Sequence, residues 1–456
     1  MLKKNQYQCD LFSKRYFDCM LPERHILLDI MKLVDLSFIT SEVRDLYSDI
    51  GRGSIDPERM FKMLFLMFFC NIPSERELTE QVQVNVLYRY FCGINLDDTI
   101  PDHSSFTVFR QRLGKERFKR LFNRILGQCI AHDLVDGSHL SFDATIVKAN
   151  AAVPNTKRTD KELIADADKI IENAFNGAKV QGLKDDKQKL PLASSDPDAR
   201  WTKRKGRPST LGYSAHISTD SKEKIITDIE VTPADVRTHE SMVSMIDAQK
   251  EKHGLSINEI SADSEYSTGA LRKALEKRFI DAYIPLRDIA GKNRPGMFAH
   301  EDFVYDKERD IVTCPKGNVM RFAQEKLLGN NRLRTYRASQ KNCIDCTSRA
   351  SCTIGKTGYR TIKISEYHDV LKRAKIRNTT PRYIEAIRLR KILTEPKFAE
   401  AKRYHGLGRA KYRGLEQVNI QSILTVICIN VKRLVNVLLS RPQTTQATFD
   451  KALVYI

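Results

Sequence analysis

The hydrophobic period of the chain changes at about residue 135, and this change limits the folds that the chain can adopt. Before it, apolar residues recur at helical spacing, as in Met60, Leu64 and Met67 after the Asp56–Pro57 cap. After it, short β-branched or alternating runs are typical of strands, and helical segments separate the later ones. These runs are LSFDATIV, GYSAHIST, KIITDIEV, NEISAD and FIDAYIPL. Their order predicts an α/β fold, a mixed sheet flanked by helices and preceded by an all-helical region.

The 456 residues leave room for two or three domains with a large core. Changes in composition predict the boundaries between them. We predict a helical N-terminal, DNA-binding region (1–135), a first part of the sheet domain (136–287, with a polar insertion at about 150–210), a cysteine-bearing insertion (288–380), C-terminal helices that complete the sheet domain (381–440) and a tail (441–456).

The charge balance favours a polyanionic partner. Lys and Arg total 76 against 57 Asp and Glu, which gives a formal net charge of +19. The longest uninterrupted apolar run, Met63 to Cys70, is far shorter than the ~18 residues needed to cross a bilayer, so we expect no membrane association. The first residues, MLKKNQYQCD, contain no secretory signal, and we therefore expect a cytoplasmic protein.

Three carboxylates stand where chemistry is expected. Asp143 lies inside an apolar strand, where a carboxylate is costly unless it is paired or binds a cation; a bond to backbone is the simpler alternative. Asp263 follows the fourth predicted strand, at the edge where open sheets place ligands. Glu395 lies on a strongly basic helical segment near the C-terminus.

Together these residues resemble the RNase H-like core of the DDE transposases of bacterial insertion sequences. The resemblance covers about 50–435 and includes the stretch PDHSSFTVFRQRLG, which is similar to the helical region before such cores. The family often shows tyrosine, arginine, glutamate and lysine around the third carboxylate. Here Glu395 and Lys402 keep the six-residue gap, while Arg388 and Lys391 occupy the two earlier positions.

The resemblance implies that Asp143, Asp263 and Glu395 bind Mg²⁺ or Mn²⁺. Two such ions about 4 Å apart can activate a water or a 3'-hydroxyl and neutralise the leaving oxygen. Lys402 lies two helical turns after Glu395 and could reach a phosphate beside the metals. Pro396 disfavours helix at the preceding residue, so we expect the helix to kink or to start there. Glu400 competes for the third position, but lacks the family spacing to Lys402.

Basic residues provide candidate DNA contacts in three places. Arg110 and Arg112 belong to a basic helical face at 110–124, and Lys391 lies beside Glu395. The stretch RWTKRKGRP combines the only tryptophan with cations, which suits phosphate contact with base stacking; the alternative is a solvated loop whose tryptophan packs in the core. Its candidate DNA-binding residues are Trp201, Lys203, Arg204, Lys205 and Arg207.

Four of the ten cysteines cluster late in the chain, with 28, two and five residues between them. The CxxC pair is a good half-site for Zn²⁺, and some insertion-sequence transposases carry a similar insertion here. Reduced structural thiols are the alternative. The four residues are Cys314, Cys343, Cys346 and Cys352.

The resemblance implies an enzyme that cuts the ends of an insertion sequence and joins the freed 3'-hydroxyls to target DNA, as a homodimer on double-stranded DNA. Two alternatives stay open. One is a transposase-derived DNA-binding protein or repressor without catalysis, and the other is a hydrolytic nuclease of the same fold.

Overall fold

The computed structural model describes residues 9–441, except 52, 152–192, 194, 204–205, 207, 238, 288–295, 330 and 354–357. The chain divides into two compact units. The first comprises 1–258 and 388–456, and the second comprises 259–387. The division therefore falls before the predicted boundary at 287/288 and after the one at 380/381. Most of the polar insertion and the tail lie outside the described residues.

The N-terminal part of the first unit is helical, as predicted. Asp56 accepts a hydrogen bond from the Glu58 N–H (2.9 Å) and Ser74 accepts one from the Glu77 N–H (3.1 Å), so both predicted caps are present. Gly114, with φ of 63°, interrupts the longest helix, which lies where two separate helices were predicted. The helices are α1 (Leu11–Met20), α2 (Ile26–Leu33), α3 (Phe38–Val43), α4 (Pro57–Phe69), α5 (Glu75–Val84), α6 (Val86–Cys92) and α7 (His103–Ala131).

An antiparallel sheet follows in the first unit. Its central strand β3 pairs with β1 along one edge and with β4 and β2 along the other, and Asp143 lies opposite Ile217 in the β1–β3 register. The elements are β1 (His139–Lys148), β2 (Arg200–Thr202), β3 (Thr210–Asp220), β4 (Ile226–Pro233) and α8 (Glu240–His253).

The second unit contains a parallel strand pair and a separate antiparallel sheet of five strands in the order β11-β10-β9-β8-β7. Its elements are β5 (Glu259–Ser261), α9 (Gly269–Glu276), β6 (Asp281–Tyr283), β7 (Val304–Asp306), β8 (Ile311–Thr313), β9 (Val319–Leu328), β10 (Asn331–Ala338), α10 (Gln340–Ile344), α11 (Arg349–Cys352), β11 (Thr361–Ser365) and α12 (His368–Arg377). Parallel and antiparallel pairs packed with helices confirm the predicted mixed α/β class.

Two long helices end the described chain, α13 (Pro381–Tyr404) and α14 (Leu415–Ser440). Helix α14 is long and apolar enough to cross a membrane by length and mean hydropathy, although polar residues interrupt its apolar runs. In the structure, 78% of its most apolar window is buried in the protein, as in the core helix of a folded domain. It packs against α7, α4, α2 and β4 of its own unit.

Candidate functional site

Asp143 lies on β1 with its carboxylate held by the C-terminal helix α13. Its Oδ2 accepts hydrogen bonds from Arg390 Nη1 (2.9 Å) and from the Thr394 hydroxyl (3.1 Å). Its Oδ1 accepts from the Ala144 N–H at 2.8 Å. The side chains of Asp143 and Arg390 are only 14% and 12% exposed, so this ion pair is largely removed from water. The prediction that a carboxylate on this strand needs a cationic partner is met within the chain itself.

Glu395 follows Thr394 on α13, so the contact of Thr394 with Asp143 brings the two predicted carboxylates into one neighbourhood. Glu395 is exposed, and within the described part of the chain it makes no hydrogen bond or ion pair. Arg388 and Lys391, seven and four residues earlier, lie on the same side of the helix and are exposed, as is Lys402.

Helix α13 continues through Pro396. The expectation that the helix starts at this proline is therefore wrong. Because proline has no N–H, it cannot donate the helical hydrogen bond to the carbonyl of Ile392. Arg388, Lys391, Glu395 and Lys402 consequently share one face, as the family signature requires.

Glu400 is engaged elsewhere. The His405 ring, with Nε2 at 4.0 Å from Oε1, and the Lys432 ammonium, at 2.9 Å, lower the pKa of Glu400 to about 2. Lys397, 8% exposed, adds a second ammonium group at 3.8 Å. These contacts belong to the packing of α13 against α14, and they support Glu395 rather than Glu400 as the third carboxylate.

Asp263 belongs to the second unit and follows β5, as predicted. Its Oδ1 accepts a hydrogen bond from the Glu265 N–H (2.9 Å) and caps a short 3-10 turn. Arg287 donates to the carbonyl oxygens of Ser264 (3.0 Å) and Glu265 (2.6 Å), which holds this turn in place.

Neither predicted metal site is preformed: within the described residues, no group of three or more His, Cys, Asp or Glu side chains has the geometry to hold a metal ion. The chemistry of the donors still fits the predicted ions. Carboxylate oxygens suit Mg²⁺, and thiolates suit Zn²⁺.

Cys314, Cys343, Cys346 and Cys352 line one pocket in the second unit, together with Phe298 and Phe303. All four are partly buried and none is in a disulfide. Burial, together with the proximity of the three other thiols, raises the pKa of Cys352. The four cysteines that cluster in the sequence therefore also lie around one pocket, but their sulfurs do not form a closed four-sulfur site.

The basic face predicted on α7 is largely neutralised inside the protein. Arg110 requires a correction: its side chain is 5% exposed, forms an ion pair with Glu75 and lies 3.8 Å from the ring centroid of Tyr412. Burial lowers the pKa of its guanidinium. Arg110 is therefore a packing residue and is not presented to DNA.

Other cations of this face are also paired, for example Lys115 with Glu230 at 2.7 Å and Lys119 with Asp228. Arg112 differs, because it is exposed, with its guanidinium 4.7 Å from the ring centroid of Tyr47. Its role as a DNA contact stays a prediction.

Trp201 also requires a correction. It lies on β2, pairs with Leu211 of β3 and is 7% exposed, so its indole packs in the core and cannot stack on a base. Lys203 is partly buried, whereas Arg204, Lys205 and Arg207 lie outside the described residues.

Sequence reasoning missed the two residues that hold Asp143. The spacing of Arg390 and Thr394, four apart on a helix with an apolar face, was the available signal. It also missed the role of the DPDAR stretch: Asp196 and Asp198 accept hydrogen bonds from the N–H groups of Gly414 (3.1 Å) and Leu415 (2.9 Å), at the start of α14. These aspartates cap a core helix.

Two family models match the chain. Residues 15–112 match a transposase domain (DUF772), and residues 313–435 match a transposase DDE domain that includes the four clustered cysteines and Glu395. The DDE domain defines a class of nucleic-acid-cleaving enzymes. The predicted resemblance to the DDE transposases is confirmed by these two matches.

No curated protein matches this chain. Among solved structures, one match is a cryo-EM structure of a piggyBac transposase synaptic complex with hairpin DNA. It is 11% identical, covers 94% of this chain and 82% of that chain, and has a TM-score of 0.32. A TM-score of this size does not establish a shared fold.

Proposed function

We propose that this transposase cleaves DNA at the ends of an insertion sequence and transfers the freed 3'-hydroxyl strands to target DNA. One observation carries the proposal. The Asp143 carboxylate is held by Thr394 and Arg390, and the exposed Glu395 directly follows Thr394 on the same helix. The nearness of a strand carboxylate and a helix carboxylate supports a role for both in this chemistry.

Asp143, Asp263 and Glu395 would hold Mg²⁺ or Mn²⁺, whose preferred ligands are such oxygens. When bound, the metal would supply an activated attacking oxygen and neutralise charge at the phosphate. Arg390 and Thr394 fix the direction of the Asp143 carboxylate, and both are shielded from water. The exposed cations Arg388 and Lys391 give double-stranded DNA phosphates a place to bind beside Glu395.

A strand-transfer assay tests this function. The purified chain is incubated with Mg²⁺, labelled duplexes that end in the element's termini, and a supercoiled plasmid. We expect cleavage at the termini followed by joined products, made by a homodimer that pairs two ends. In the cell, we propose that this reaction takes place in the cytoplasm. Cleavage without joining would indicate the hydrolytic nuclease, and binding without cleavage would indicate the repressor; either result contradicts the proposal.

We also propose that Cys314, Cys343, Cys346 and Cys352 bind one structural Zn²⁺. The support is that all four thiols line one pocket, and thiolates are the ligands that structural zinc prefers. Elemental analysis of the purified chain should find one zinc per molecule. A Cys343→Ser, Cys346→Ser variant should lose it, while the control variant Cys19→Ser, at an exposed cysteine far along the chain, should retain it. If removing the metal from the wild-type protein left its thermal unfolding temperature unchanged, the proposal would be contradicted.

A further inference from the structure

The three strands β9, β10 and β11 of the second unit form a sheet with two unlike faces. One face packs on an apolar core that includes Met320, Tyr336 and Ile362, all 1% exposed or less. Because successive side chains along a strand point to opposite sides, the neighbouring residues lie on the other side. This outer face carries Arg321, Arg337 and Lys363, each of them exposed.

The three cations are close neighbours. Arg321 and Arg337 lie directly opposite each other in the β9–β10 register. Lys363 lies on β11 two positions from Thr361, the residue opposite Arg337. Like charges in directly opposed positions of a sheet repel and destabilise it. The arrangement therefore works against folding. Arg337 lies 5.2 Å from the ring centroid of Tyr359, but this contact leaves its charge without a carboxylate partner within the described residues.

Acidic side chains that could neutralise the outer face are on the other side of the sheet. The only acid on these three strands, Glu325, is turned to the inner side, where it pairs with Arg332 (3.6 Å) and Arg334 (3.8 Å). Asp310 also pairs with Arg334, at 2.8 Å. Within the described ranges, none of Arg321, Arg337 and Lys363 forms an ion pair. The inner arginines are matched by carboxylates and the outer cations are not.

A fourth cation extends the row toward the end of the hairpin. Lys326 lies opposite Leu333, and a β-bulge in β9, where the register shifts between Thr335 and Tyr336, places it on the same side as Arg321 although it is five residues further along. The β10 partners Arg337 and Leu333 are four residues apart, so at ~3.3 Å per residue the row is about 13 Å long. At one base pair per ~3.4 Å, it matches about four base pairs of duplex DNA.

We propose that this outer face binds the phosphate backbone of double-stranded DNA, as a contact surface separate from the carboxylate site. The choice of DNA among polyanions rests on the proposed function. Guanidinium groups suit phosphate oxygens, with which they form paired charge-assisted hydrogen bonds. Bound phosphates would also remove the repulsion between Arg321 and Arg337.

The test compares two triple variants of the full chain. Arg321→Ala, Arg337→Ala, Lys363→Ala removes three cations of the outer face. The control Arg309→Ala, Arg332→Ala, Lys375→Ala removes the same charge from the same unit, at positions that are 79%, 62% and 59% exposed and already ion-paired. Binding to a short non-specific duplex is measured by fluorescence anisotropy over a range of salt concentrations.

We expect the outer-face variant to reduce the slope of log affinity against log salt by about 2.7, at ~0.9 for each lost phosphate contact, and the control to change it by less than about 1. The outer-face variant should also unfold at a temperature at least as high as the wild type, because a repulsion is removed. An unchanged slope, or equal losses in both variants, would overturn the proposal. So would a loss confined to binding of anionic lipid vesicles.

Failure of this inference can be told apart from failure of the proposed function. Wild-type protein is taken through the strand-transfer assay in parallel. A wild type that binds DNA through the outer face but yields no cleavage contradicts the proposed function and leaves the surface intact. A wild type that cleaves and joins DNA while the outer-face variant binds with an unchanged slope contradicts only the surface.

Discussion

At the scale of single residues, the environment of Asp143 is the main finding. A carboxylate that is 14% exposed on strand β1 would be costly by itself, and Arg390 and Thr394 offset that cost. The same contacts fix the orientation that a catalytic carboxylate needs. The pair therefore has a measurable structural role besides the proposed chemistry.

The ion pair between Asp143 and Arg390 should appear as coupling in a double-mutant cycle. Removing one partner leaves the other charge buried, so Arg390→Met alone should lower the free energy of unfolding by about 3 kcal/mol or more. Asp143→Asn combined with Arg390→Met should cost clearly less than the two single changes added together. Urea unfolding of the four proteins measures this. Additive losses would show that the two side chains do not stabilise each other.

The Glu400 cluster makes a prediction about pH. The pKa of Glu400 is lowered from 4.5 to about 2 by His405, Lys432 and Lys397. A carboxyl group whose pKa is lower in the folded state than in the unfolded state stabilises the folded state at every pH above the unfolded-state pKa. This contribution is lost as the pH falls from about 4.5 to about 2.

Glu400→Gln should therefore lower the free energy of unfolding at neutral pH by up to about 3 kcal/mol, since one pKa unit corresponds to about 1.4 kcal/mol. The difference from wild type should shrink as the pH is lowered through this range. Urea unfolding at neutral and acidic pH checks both points. A difference that is the same at every pH would rule out the charge cluster as its cause.

At the scale of elements, two asparagine side chains of α14 form hydrogen bonds with backbone groups at the outer edge of β4. Asn430 donates to the Ile226 carbonyl (2.8 Å) and accepts from its N–H (2.9 Å), and Asn419 does the same at Val231.

A β-bulge makes this pairing possible. In a regular strand, residues an odd number apart direct their N–H and C=O groups to opposite edges. The irregularity between Ser218 and Thr219 of β3, opposite Asp228 and Ile226, inserts one extra residue in β4. Ile226 and Val231 therefore both face α14.

Asn430→Ala should leave the buried N–H and C=O of Ile226 without partners and lower the free energy of unfolding by about 2–4 kcal/mol. The matched control is Ser422→Ala, a buried polar residue of the same helix whose hydroxyl bonds only to Val418 of that helix. Ser422→Ala should lower the free energy of unfolding by less than about 1 kcal/mol. Equal losses for the two variants would show that the side-chain pairing with β4 contributes nothing specific.

Local elements were predictable from the sequence where the signal is itself local. The caps at Asp56 and Ser74 and the strand that carries Asp143 are fixed by neighbours within a few residues. Pro396 predicted a kink or a helix start, and the structure excludes the start, because α13 runs through this residue.

At the scale of the whole molecule, long-range pairing decides what the sequence could not show. Cations on α7 look like a DNA surface in the sequence, but Arg110 is neutralised by Glu75 and Lys115 by Glu230, which is 115 residues away. The uncompensated cations of the β9–β11 sheet have no unusual sequence pattern. Only the register reveals them. The assignment of the three candidate carboxylates rests on the family resemblance and stays a prediction.

The central claim is that Glu395 is a catalytic carboxylate, and Glu395→Gln tests it most directly. Within the described residues, Glu395 is exposed and unbonded, so its loss should leave stability within about 0.5 kcal/mol of wild type and DNA binding unchanged. The control is Glu400→Gln, five residues further along the same helix. This change should lower the free energy of unfolding.

The measurement is the rate of cleavage at labelled element ends, with each variant fully folded at neutral pH. We predict that Glu395→Gln abolishes cleavage while Glu400→Gln cleaves at close to the wild-type rate. Cleavage by Glu395→Gln at the wild-type rate, with Glu400→Gln inactive, would contradict the assignment of Glu395 and place the third carboxylate at Glu400.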